Sequence, residues 1–166
     1  MGRIVRLLVC AGAIAGLAGP VAARDALGIF GRWGAFRDIR PLRCYAIAEP
    51  PSRIRDAKFR PFATVATWPG PGVRGQLHIR LRQARMADAP ITLSIGDRRF
   101  SLIGIGPDAW APNARADAAI VAAMRSATSM SVSTRAENGR AFADGYGLRG
   151  AATAIDAAAL GCARMG

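Results

Sequence analysis

Apolar and polar residues alternate most cleanly between Ile91 and Leu102, which reads Ile-Thr-Leu-Ser-Ile-Gly-Asp-Arg-Arg-Phe-Ser-Leu. Two short strands about a Gly96-Asp97 turn account for it, because glycine in the first turn position accepts positive φ. That turn sets Ile91 opposite Leu102, Leu93 opposite Phe100, Thr92 opposite Ser101 and Ser94 opposite Arg99. Apolar then meets apolar and polar meets polar, so one face is buried and the other wet. A period of two, interrupted by Gly-Asp, argues against a helix.

The same alternation recurs along the chain. Leu42, Cys44 and Ala46 share one face of a strand that Pro50-Pro51 ends. Pro61 to Trp68 predicts a second strand, with Phe62, Thr64, Ala66 and Trp68 on one face and Ala63, Val65 and Thr67 on the other. In Gly75 to Arg82, Leu77, Ile79 and Leu81 point in and His78, Arg80 and Arg82 point out. Met130 to Leu148 reads as a hairpin around Asn138-Gly139. A two-residue turn would set Val132 against Gly145. A one-residue offset that sets Val132 against Tyr146 and Met130 against Leu148 fits the apolar pattern better. With this offset Ser129, Ser131 and Ser133 fall on the outer face. Two stretches switch to helical period, about 114–126 and 151–163. In the first, Asp117 suits the opening turn, and Ile120, Val121 and Met124 mark the core face. In the second, Ile155, Ala159 and Cys162 share a face. Arg24 to Ile39, with Phe30, Trp33 and Phe36 among Gly28, Gly31 and Gly34, predicts a partly ordered arm or edge strand. The expected fold is mainly β: an antiparallel, sandwich-like domain with two short helices.

The N-terminus changes this picture. Arg3 and Arg6 form a basic start, Leu7 to Gly19 is apolar and small, and Pro20 precedes the small residues Val21-Ala22-Ala23. These are the parts of a secretory signal over residues 1–23, followed by one exported β-rich domain over 24–166. The charge-free run Leu7 to Ala23 is at the short limit for a membrane anchor, so no integral span is expected after cleavage. Cleavage also removes Cys10 and leaves Cys44 and Cys162. In an oxidising compartment an even pair reads as a disulfide; the alternative is two unpaired buried thiols. With one histidine and no close ligand spacing, no metal site or cofactor is expected.

Charge and candidate chemistry come last. The formal net charge is +12, and of 23 basic residues all but Lys58 are arginine. Coding bias accounts for much of this. The densest cluster, Arg53, Arg55, Lys58 and Arg60, joins Arg80 and Arg82 as a candidate patch for polyanions, against the alternative of a solvated loop. His78 stands between arginines with no carboxylate nearby in sequence, and no base accompanies the serines. A carboxylate hydrolase would need Asp97 and Asp144 together, and nothing in the sequence joins them. Nucleic acid binding fits the charge but neither the exported location nor the dispersed aromatics.

The hairpin Ile91–Leu102, Trp110, the helix Asp117–Arg125, Met130-Ser131-Val132, the segment Tyr146-Gly147-Leu148-Arg149-Gly150 and the terminal helix run in one order. In this order the C-terminal half resembles the invasion-associated locus B family of secreted alphaproteobacterial proteins. The resemblance implies an exported, mostly β domain with a sandwich-like core. Export, a disulfide and a β domain make the expected function that of a non-enzymatic periplasmic or secreted protein that binds another envelope component, either an envelope protein or an anionic envelope polymer such as lipopolysaccharide.

Overall fold

A computed structural model describes residues 24–51 and 57–163; the expected signal segment, residues 1–23, lies outside them. Ten strands and two helices follow one another: β1 (Arg24–Phe30), β2 (Trp33–Ile39), β3 (Leu42–Ala48), β4 (Phe62–Trp68), β5 (Val73–Arg80), β6 (Ile91–Ile95), β7 (Arg98–Ile105), β8 (Asp108–Trp110), α1 (Ala114–Ser126), β9 (Ser129–Arg135), β10 (Ala141–Gly147) and α2 (Ala151–Ala163). Every strand pairing is antiparallel, and the hydrogen-bonded order is β1-β2-β3-β4-β5-β8-β7-β6-β9-β10. The mainly β class and both helices are as the patterning predicts. Strand β7 serves two neighbours: Arg98 to Leu102 pair with β6, and Ile103 to Ile105 pair with β8. One strand thus joins the two halves of the sheet, a common way to turn a corner between layers. The ends of the order return toward each other, where the Trp33 indole on β2 donates to the Gly147 carbonyl of β10 at 2.9 Å.

Chain direction and parity then decide what is inside. Leu77, Ile79 and Leu81 are fully buried with Ile91, Leu93 and Ile95, and with Met130, Val132, Phe142 and Tyr146. Ile120 and Met124 of α1 and Ala151, Ala154, Ile155, Ala158 and Cys162 of α2 close over this core. The hairpin β6–β7 has the register expected from its alternation, pair for pair. Ala158, not Ala159, faces inward from α2, since the buried set Ala151, Ala154, Ile155, Ala158 and Cys162 follows the 3.6-residue period from Ala151.

Two local expectations are corrected. Residues 24–39 hold the edge strand β1 paired with β2 in a hairpin with a bulge between Ala26 and Gly28, rather than a partly ordered arm. Trp33 and Ala35 are buried, and α2 packs across β1 and β2. The β9–β10 hairpin is offset by one residue, but in the opposite sense: Val132 faces Asp144 and Met130 faces Tyr146. Its loop has three residues, Glu137-Asn138-Gly139, closed by the Ala136 N–H donating to the Arg140 carbonyl at 2.9 Å. Gly139 carries the positive φ of 78° that such a loop requires. This register turns Phe142, Asp144 and Tyr146 inward and leaves Ser129, Ser131 and Ser133 on the outer face.

Asp117 also departs from a simple dipole role. Asn113 caps α1, its side chain accepting from the Ala116 N–H at 2.9 Å. Asp117 is buried and accepts the Leu77 N–H of β5 at 2.7 Å. Strand β8 is three residues long and its pairing with β5 stops at His78–Trp110, so α1 supplies an acceptor where that strand ends.

Candidate functional site

The side of β1–β5, β8 and β7 turned away from the helices is built in rows, because antiparallel partners stand opposite each other. The first row runs Arg24, Asp38, Arg43 on β1, β2 and β3. A second holds Ala26, Phe36, Tyr45, Ala66 and Gln76. A third holds Gly34, Ile47, Thr64, His78, Trp110 and Ile103, and a fourth Phe62, Arg80, Asp108 and Ile105. Parity alone brings Phe36, Tyr45, Phe62, Trp68 and Trp110 to this face. They are five of the eleven aromatic residues of the chain, on a surface that water would normally fill with polar side chains.

Two clusters with the same plan organise the face. In one, Asp38 accepts from Arg24 Nε at 2.9 Å and from Arg43 at 2.5 Å. The Arg43 guanidinium lies between the Tyr45 and Trp68 rings, 4.6 and 4.9 Å from their centroids. In the other, Asp108 takes two bonds from Arg80, at 3.0 and 2.9 Å, and stands 2.7 Å from His78 Nε2. A carboxylate oxygen only accepts, so Nε2 carries the proton. The imidazole stacks on Trp110 with centroids 5.1 Å apart and meets Phe62 edge-on at 5.3 Å. Burial pushes both carboxyls up, but their arginine bonds, with the His78 bond at Asp108, outweigh it and hold Asp38 and Asp108 below the usual carboxylate range. Beside Trp110 and Asp108, Ile103 and Ile105 stand 55% and 81% exposed. The face therefore offers flat rings, aliphatic tips and anchored arginines, the chemistry enriched in interface cores.

The expected site residues are placed as follows. Cys44 and Cys162 form a disulfide joining β3 to α2. Arg53 and Arg55 lie outside the described residues. Lys58 and Phe59 donate their backbone N–H groups to the Arg82 carbonyl, which puts Lys58 beside Arg82. Arg60 pairs with Glu49 at 2.7 Å, and Arg80 with Asp108. Arg82 lies over the Phe142 ring, and its Nε is 3.5 Å from Asp144 Oδ1, an ion pair too long for a hydrogen bond. His78 does have a carboxylate partner, supplied by β8 thirty residues later in the chain. Asp97 sits in the exposed β6–β7 turn, whereas Asp144 is wholly buried on the inner side of β10. Burial pushes the Asp144 carboxyl up, partly offset by the Arg82 N–H that it accepts at 3.0 Å and by the Arg82 charge. Among the described residues no cluster of three His, Cys, Asp or Glu could hold a metal ion, and no helix is long and apolar enough to cross a membrane.

The ringed face was not singled out from the sequence. The usable signal was there: β4 carries Phe62 and Trp68 on one side and Ala63 and Val65 on the other. A strand with bulky residues on the side that does not meet the core marks a second, half-buried aromatic face. No protein-family model, curated protein or solved structure matches the chain.

Proposed function

We propose that this chain is a non-enzymatic periplasmic or secreted protein that binds another envelope protein through the ringed face. The carrying observation is the concentration of Phe62, Trp68, Trp110, Ile103 and Ile105 beside arginines already held by Asp38 and Asp108. Arginines fixed on aromatic rings lose little freedom on binding, and exposed apolar groups gain by leaving water. The signal-like N-terminus and the resemblance to the invasion-associated locus B family support the envelope setting. The polyanion reading ranks second, because Arg60, Arg80 and Arg82 each already face a carboxylate.

The test is a crosslinking pull-down from the native envelope fraction at low and at high salt, with wild type and Trp110→Ala/Ile105→Asp. A protein partner kept at high salt and lost with the variant supports the reading, since salt screens exposed charges and not apolar contact. Recovery of anionic glycan or lipid alone, released by salt, would replace it with the electrostatic one.

A further inference from the structure

On the opposite side of the sheet from the ringed face, α1 and α2 leave a groove of about 630 Å³ between them and the β4–β5 turn. Val65 of β4, Val73 of β5, Val121 of α1 and Ile155 of α2 line it. It stays open because the helices present Ala118 and Ala159 to it, methyl groups too short to meet across the gap. Arg125 and Asp156 tie the helices together through two bonds of 3.0 and 2.6 Å. Arg74 stands at the rim, exposed and without a carboxylate partner among the described residues.

We propose that this groove binds a single-chain amphiphile with an anionic head. The alkyl chain would lie along Val65, Val73, Val121 and Ile155, with the head at Arg74. The volume is that of a small-molecule site, and a mostly apolar lining with Arg74 open at the rim, while Arg125 is held by Asp156, suits such a ligand. An extended peptide fits less well. The helical walls satisfy their own backbone groups, β4 is already paired on both edges, and the β5 edge left open beyond the β8 pairing is only the short stretch Val73–Gln76, so a peptide strand would find few hydrogen-bond partners. A second copy fits less well too, since a chain of formal net charge +12 meets a cationic rim.

The test is calorimetric titration of the disulfide-intact protein with dodecanoate below its micellar concentration. Dodecyl maltoside and dodecylammonium, with the same chain and a neutral or cationic head, are the comparisons. Dodecanoate is expected to saturate at one per chain and to bind at least about tenfold tighter than either comparison. Ala159→Trp and Ala118→Trp, both at exposed helix positions, fill the groove and should each lose about tenfold or more with circular dichroism unchanged. Arg74→Glu should weaken dodecanoate and leave dodecyl maltoside unaffected. Three results would overturn the proposal: no saturation by about 1 mM dodecanoate, equal binding by both tryptophan variants, or equal affinity for all three heads. Sedimentation showing a dimer that Ala159→Trp dissociates would assign the groove to self-association and overturn it as well.

Discussion

Reducing the Cys44–Cys162 disulfide should cost this fold most of its stability. The two cysteines are 118 positions apart, so the bond closes a loop over most of the unfolded chain. The chain-entropy relation for a loop of that size gives about 5 kcal/mol at 25 °C. Domains of this kind hold roughly 5–15 kcal/mol in all. Packing offers little to replace it, because the inward face of α2 is Ala151, Ala154, Ile155, Ala158 and Cys162. A methyl group contributes on the order of 0.8 kcal/mol when buried, so three alanines anchor a helix weakly. The assay is urea unfolding of oxidised protein against Cys44→Ala/Cys162→Ala, followed by circular dichroism. The variant should show a midpoint lower by about 2 M or more, with a steeper slope because its unfolded state is more expanded. Both sulfurs are buried, so dithiothreitol without denaturant should reduce the native bond slowly. A stability loss below about 1.5 kcal/mol would refute the loop-entropy reasoning. Two alkylatable thiols in the unreduced protein would refute the bond itself.

Other perturbations test the frame that holds the face. Asp117→Ala leaves the buried Leu77 N–H without its acceptor and should cost about 1–3 kcal/mol, while Asp117→Asn, which keeps a carbonyl oxygen, should cost less; chemical denaturation separates them. Gly150 has φ of 90°, and a Cβ there would overlap the Phe30 carbonyl oxygen. Gly150→Ala should therefore lose about 2–4 kcal/mol, read as a lowered melting temperature. Asp38 and Asp108 titrate below the usual carboxylate range in the folded protein. Their contribution is complete above the unfolded value near about pH 4 and is lost as pH falls through the lower folded values. Unfolding midpoints measured between pH 5 and pH 2 should thus fall more steeply for wild type than for Asp38→Asn/Asp108→Asn. Equal slopes would mean that these pairs do not set the acid limb.

How far the sequence reaches depends on how local the deciding contact is. The β6–β7 register was legible because its turn and its pairs lie within twelve residues of one another. The faces of β5 were legible for the same reason, Leu77 and Ile79 alternating with His78 and Arg80. The apolar pattern could not fix the β9–β10 offset, because the three-residue loop closed between Ala136 and Arg140 decides it and either one-residue offset leaves the same inward row, which includes Asp144. Its acceptor role toward the Arg82 N–H, 62 residues away, is tertiary information. The partnership of His78 with Asp108 is of the same kind, since β8 is placed by β7 rather than by its own three residues. The hairpin of β1 and β2 was obscured by its glycines, whose backbone freedom is offset by α2 packing over Trp33 and Ala35.

The most direct test of the binding face is site-specific photocrosslinking in living cells. A benzoylphenylalanine at Ile105, the most exposed apolar position of the ringed face, is compared with one at Ser131, on the outer side of β9. Crosslinking to one discrete envelope protein from position 105, and not from 131, is the result expected of a ringed face that meets a partner. A discrete adduct from position 131 alone would place the interface on the other half of the sheet and contradict it.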